Sequence, residues 1–154
     1  MDNFKRAIAF VLKWEGGYVN HAEDPGGETK YGISKRAHPD VDIKELTKAQ
    51  AEEIYHRDYW LKAGCDKLPW PDCLVSFDTA VNMGVGRAQG FSDLADDWTH
   101  YLFLRLQYYS DLVRRKPKLT TFIRGWLNRV TDLYETARVR EHPVSTEYGK
   151  RPPR

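Results

Sequence analysis

The chain has 154 residues, of which 41% are hydrophobic and 30% charged; that is enough apolar content for one buried core, and no apolar run is long enough to span a membrane. Two cysteines, Cys65 and Cys73, with no second cysteine pair and no matching histidine pair, exclude a zinc framework or a disulfide scaffold and read as reduced structural thiols. The net charge of +2 is uneven: residues 1–104 carry 12 basic against 17 acidic side chains, and residues 105–154 carry 12 against 5, so the second part alone could face an anionic polymer.

In chain order, Phe4, Ile8, Val11 and Leu12 recur at helical spacing behind Asp2, which predicts a first helix over Asn3–Glu15. Its lysine and arginine interruptions, without a small-residue cleavage site, make it part of the mature fold rather than a signal peptide. Gly16 and Gly17 end it. From Tyr18 to Asp42 the glycines and prolines predict a long ordered loop with a small hairpin around Thr29–Ile33. Thr47 with Gln50 forms a capping-box pattern opening a second helix to about Trp60. Leu68-Pro-Trp-Pro71 breaks the chain, and Asp72 is placed to cap a third helix that runs to Gly84. A short segment follows, then helices over Asp96–Arg115 and from Thr120 to about Arg140. Phe122, Trp126, Val130, Leu133 and Ala137 share one face of the last. Residues 143–154 are predicted to be disordered, and the whole is predicted all-α or mainly α.

One residue breaks the pattern. At about 100° per residue, Glu15 projects between Phe4 and Ile8, inside the apolar arc of its own helix. Burial beside aliphatic groups and the negative end of the helix dipole both favour a proton-bearing acid there. A general acid needs that state, with its proton retained near neutral pH until the substrate takes it. The competing reading is a last-turn glutamate that swings to water or pairs with Arg6 or Lys13. Downstream, Asp24-Pro-Gly-Gly supplies a second acid on a tight turn, and Thr29 a hydroxyl. Tyr18, Tyr31, Tyr55 and Trp126, aromatic rings with polar tips, are candidate walls of a binding site, with Asn82 and Gln89 as amide hydrogen-bonding partners for a ligand. Each of these competes with a role in the core. Asp78, one turn before Asn82, is read as part of a polar strip facing the cleft.

Glu15-Gly-Gly-Tyr18, followed by Asp24-Pro-Gly-Gly-Glu-Thr29-Lys-Tyr-Gly32, resembles glycoside hydrolase family 108, N-acetylmuramidases found among phage endolysins. The resemblance extends through Tyr59-Trp60, Leu68-Pro69 and Phe77-Asp-Thr-Ala-Val-Asn-Met-Gly84, and continues more weakly to Gly125-Trp126-Leu-Asn-Arg129. It implies a lysozyme-like helical fold with a catalytic part over 1–88, a shortened peptidoglycan-binding-like helical part over 89–142 and a basic tail over 143–154. Gln89 to Tyr109 departs from the family pattern.

The resemblance also implies Glu15 as the essential acid. Eight residues separate Glu15 from Asp24 and four separate Asp24 from Thr29, a spacing similar to that of phage-type lysozymes though one residue short at the threonine. The implied activity is cleavage of the β-1,4 bond between N-acetylmuramic acid and N-acetylglucosamine, without metal or cofactor. A lytic transglycosylase and a non-catalytic wall-binding protein are the alternatives. Peptidoglycan is the implied partner, with no nucleic acid, no stable membrane insertion and a monomeric state. The expected location is the cytoplasm of the producing cell, with access to the wall after holin-dependent release.

Overall fold

A computed structural model describes residues 2–17 and 28–139, so the expectations for Tyr18, Asp24 and the tail over 143–154 lie outside the described residues. The described elements are α1 (Asn3–Glu15), a hairpin of β1 (Thr29–Lys30) and β2 (Ile33–Ser34), α2 (Lys48–Tyr55), α3 (Asp72–Met83), α4 (Val85–Leu94), α5 (Trp98–Arg115) and α6 (Ile123–Arg138). The fold is mainly α. Among the described residues no helix is long and apolar enough to cross a membrane.

Local chemistry explains the ends of these elements. Asp2 accepts from the Phe4 N–H, and Thr47 and Gln50 close the full capping box of α2. The hairpin turns at Tyr31 and Gly32, whose φ values of 53° and 75° have the double positive sign of a type I′ turn, and Lys30 pairs with Ile33. Beyond Tyr55 the helix widens into a π turn over His56–Trp60, where a 3.6-residue repeat would have carried on unchanged.

Several elements differ from the sequence reading. Asp72 is the first residue of α3, after Pro71, rather than its cap. Val85–Leu94 forms a helix where the sequence predicts only a short segment. Gly86 and Gly90 weaken its intrinsic propensity, and packing of Ala88 and Phe91 against the core supplies what propensity does not. A 3-10 stretch over Pro117–Phe122 precedes α6, which leaves Phe122 exposed while Val130, Leu133 and Ala137 are buried.

The core is arranged around α3, whose residues Cys73 to Ala80 are all buried, with α1, α4, α5 and α6 packed against it. On one side Trp60 meets Phe4 and Phe77 edge to face at 5.4 and 5.3 Å, and Phe4 and Phe77 lie tilted to each other at 5.8 Å. Cys65 and Cys73 are free thiols in this interior, and burial pushes them up to about 12 and about 11 respectively. A helix buried on every side has no surface for a charge, yet α3 carries Asp78 at 0% exposure. How that charge is balanced determines the geometry around Glu15.

Candidate active site

Arg105 on α5 and Arg129 on α6 meet Asp78 from two sides. Arg105 Nη1 lies 2.6 Å from Asp78 Oδ2, and Arg129 gives Asp78 Oδ1 a 3.0 Å bond from Nε and a 2.8 Å bond from Nη2. Burial alone would raise the Asp78 carboxyl, but the two guanidinium charges outweigh it and hold the carboxyl below the ordinary range. Arg105 spends its remaining donors on the Thr79 hydroxyl at 3.2 Å, Asn82 Oδ1 at 3.3 Å and Tyr109 Oη at 3.1 Å. Asp78 is therefore a buried ionic hub and does not face a cleft.

Glu15 closes the chain of charges. Its Oε1 lies 2.9 Å from Arg129 Nη2, with the Glu15 side chain 22% exposed and that of Arg129 9%. The sequence places Glu15 inside the apolar arc and offers Arg6 or Lys13 as a pairing partner; the cation that meets it is Arg129, 114 positions downstream. Asp78 takes both Nε and Nη2 of Arg129, whereas Glu15 meets Nη2. The two guanidinium groups of Arg105 and Arg129 thus stand between two carboxyl groups, Asp78 in the interior and Glu15 at the end of α1.

The hairpin forms the other wall beside Glu15. A Cβ placed on Gly32 would lie 2.9 Å from Glu15 Cβ and would overlap the Tyr55 hydroxyl. That hydroxyl donates a 2.8 Å bond to the Tyr31 carbonyl oxygen, tying α2 to the turn. Burial, then the negative charge of Glu15, raises the Tyr55 phenol well above its usual value, so it stays a donor. Just before Glu15 in the chain, Lys13 Nζ and Trp14 Nε1 each donate a 2.8 Å bond to Asp132 of α6, which ties the last turn of α1 to α6.

The candidate residues separate clearly. Glu15, Tyr31, Tyr55 and Asn82 belong to one connected set, because Asn82 Oδ1 accepts from both Arg105 and Tyr109. Trp126 joins it by stacking on Tyr109 at 4.8 Å between ring centres. Tyr55 is 1% exposed, so its ring is core and offers no face to a sugar; its contribution is the hydroxyl that holds the turn. Thr29 is half-buried in β1, opposite Ser34. Gln89 stands apart on the exposed side of α4, where its amide donates to the Lys62 carbonyl at 2.9 Å. Asp24 and Tyr18 fall in the segment outside the described residues.

Arg105 and Arg129 are the residues that sequence reasoning missed. The signal that exposed Glu15 was present for both. Arg105 sits on the stripe of Tyr101, Leu102 and Tyr109, and Arg129 beside Val130 and Leu133 on α6; all these neighbours are buried. A charged residue at a core position of an amphipathic helix demands a partner of opposite sign.

Two comparisons bear on this arrangement. A family model described as Glycosyl hydrolase 108 matches residues 8–84, a span that holds Glu15, Thr29, the hairpin, Tyr55 and Asp78. The solved structure of SagA from Brucella abortus is similar to this chain, with a TM-score of 0.69 and 27% identity over 87% of this chain and 92% of that one. No curated protein matches the chain.

Proposed function

The chain belongs to the glycosyl hydrolase 108 family, and from that premise we propose that it cuts bacterial peptidoglycan at the β-1,4 bond between N-acetylmuramic acid and N-acetylglucosamine, with Glu15 as general acid. The observation that carries this reading is the setting of Glu15: a partly exposed carboxyl at the end of α1, backed by Arg129 and walled by the Gly32 turn, within the family-matched span.

In this reading Oε1 rests against the guanidinium and Oε2 is the oxygen left to carry the proton. The proton passes to the glycosidic oxygen, the bond from that oxygen to the anomeric carbon breaks, and water adds its hydroxyl to the carbon while its remaining proton returns through solvent to Glu15. Thr29 and Asp24 are proposed to orient that water. Tyr31, Trp126 and Asn82 are proposed sugar contacts. Arg129 holds the carboxyl in position, and its hydrogen bonds to Asp78 keep Arg129 itself in place. Access to the wall from the cytoplasm after a holin-type opening is the biological setting we propose for this activity.

Mass spectrometry of muropeptides released from purified cell walls tests the reading. New reducing N-acetylmuramic acid ends support it. Anhydro ends would replace it with transglycosylase chemistry, and the absence of new ends would make the chain a binding protein.

A further inference from the structure

We propose that Asp78 and Arg105 act as a buried charge balance that sets how firmly Arg129 holds Glu15, and so sets the pH range over which the enzyme works. The inference deepens the reading of Glu15 as the acid and rests on it. Asp78 and Arg105 would then be positioning residues, acting on the reacting carboxyl only through Arg129.

Three features of the geometry point to this. First, one nitrogen serves two acids: Arg129 Nη2 lies 2.8 Å from Asp78 Oδ1 and 2.9 Å from Glu15 Oε1. Second, the competition is unequal, because Asp78 receives both Nε and Nη2 of Arg129 while Glu15 meets the shared Nη2. Third, Asp78 and Arg105 are both 0% exposed, so neither water nor salt can make up for a change in either charge. What Arg105 takes from Asp78, Arg129 is free to give to Glu15.

Among the described residues, the other charged and titratable groups near Glu15 do not replace this control. Tyr55 and Tyr59, from α2 and the π turn, face it as raised, neutral phenols. Lys13 of α1 and Asp132 of α6 are paired with each other at 2.8 Å. From the hairpin the contact is the Gly32 backbone, and Lys30 is turned away to the Lys44 carbonyl.

The signs follow from the charges. In Asp78→Asn, Arg129 loses its compensating carboxylate and bears harder on Glu15, which favours the ionised form. Since the reaction needs the protonated acid, the alkaline limb of the pH–rate profile moves down by about one pH unit. Asn82→Asp places a second carboxylate at the Arg105 Nη2 and Tyr109 Oη end of the network, so Arg105 is shared and Asp78 leans more on Arg129. The alkaline limb then moves up by about half a unit. Residues with a merely structural role would lower the amplitude and leave the limb where it was.

The experiment measures hydrolysis against pH for the wild type, Asp78→Asn and Asn82→Asp, beside a carbon-13 NMR titration of the Glu15 carboxyl, assigned by its loss in Glu15→Gln. Opposite shifts in the two variants, seen in both rate and titration, are the expected result. Shifts in the same direction, or none, overturn the charge balance. If Asp78→Asn does not fold, Asn82→Asp at the exposed end of α3 decides alone: an upward shift supports the proposal and an unmoved limb ends it. An active Glu15→Gln would instead defeat the assignment of the acid, whereas an inactive Glu15→Gln with unmoved limbs would defeat only the charge balance.

Discussion

The Tyr55 hydroxyl donates a 2.8 Å hydrogen bond to the Tyr31 carbonyl oxygen, and through that bond the buried end of α2 fixes the hairpin turn beside Glu15. Tyr55→Phe keeps the ring in the core and removes the bond. The expected cost is about 1 kcal/mol of stability, with hydrolysis reduced several-fold because the turn is released. Chemical denaturation with parallel rate measurement checks both; an unchanged rate would mean that the turn does not position the acid.

Gly32→Ala strikes the same contact from the other side. The residue has φ +75°, and an added methyl would overlap the Tyr55 hydroxyl and press on Glu15 Cβ at 2.9 Å. Strain and overlap together should cost about 1–3 kcal/mol and lower activity more than Tyr55→Phe does. Thermal melts and initial rates of the two variants measured side by side test that order.

Stability should fall in acid for a specific reason. Asp78 has its folded-state carboxyl held below the ordinary value by Arg105 and Arg129 against the opposing effect of burial. A depressed carboxyl stabilises the fold fully above its unfolded value, near 4, and that contribution is lost as pH drops through the folded value. Asp78→Asn should therefore cost about 3 kcal/mol or more near neutral pH, with the gap to wild type narrowing as pH falls below about 4. Melting temperature against pH for both proteins gives the comparison, and a constant gap down to acid would contradict this account.

The sequence carried a good part of this structure, for identifiable reasons. Caps and turns are local chemistry, so Asp2, the Thr47–Gln50 box and a hairpin around Thr29–Ile33 are readable in the sequence. The helix over Val85–Leu94 was not, because Gly86 and Gly90 hide its pattern and its stability comes from packing on α3. Glu15 was visible as a charge inside an apolar arc, but its partner was not: the Arg129 contact spans 114 positions and depends on how α6 crosses α1. Tyr55 misled for a related reason. An amphipathic ring reads the same on a sugar platform as in a core, and only tertiary packing tells which end is wet.

Glu15→Gln with muropeptide mass spectrometry tests the central claim most directly. The substitution keeps the side-chain volume and leaves Arg129 bonded to Asp78, so the melting temperature should stay close to wild type. Release of new reducing N-acetylmuramic acid ends should fall by at least about a hundredfold. A folded Glu15→Gln protein that still releases those ends at the wild-type rate would contradict the account.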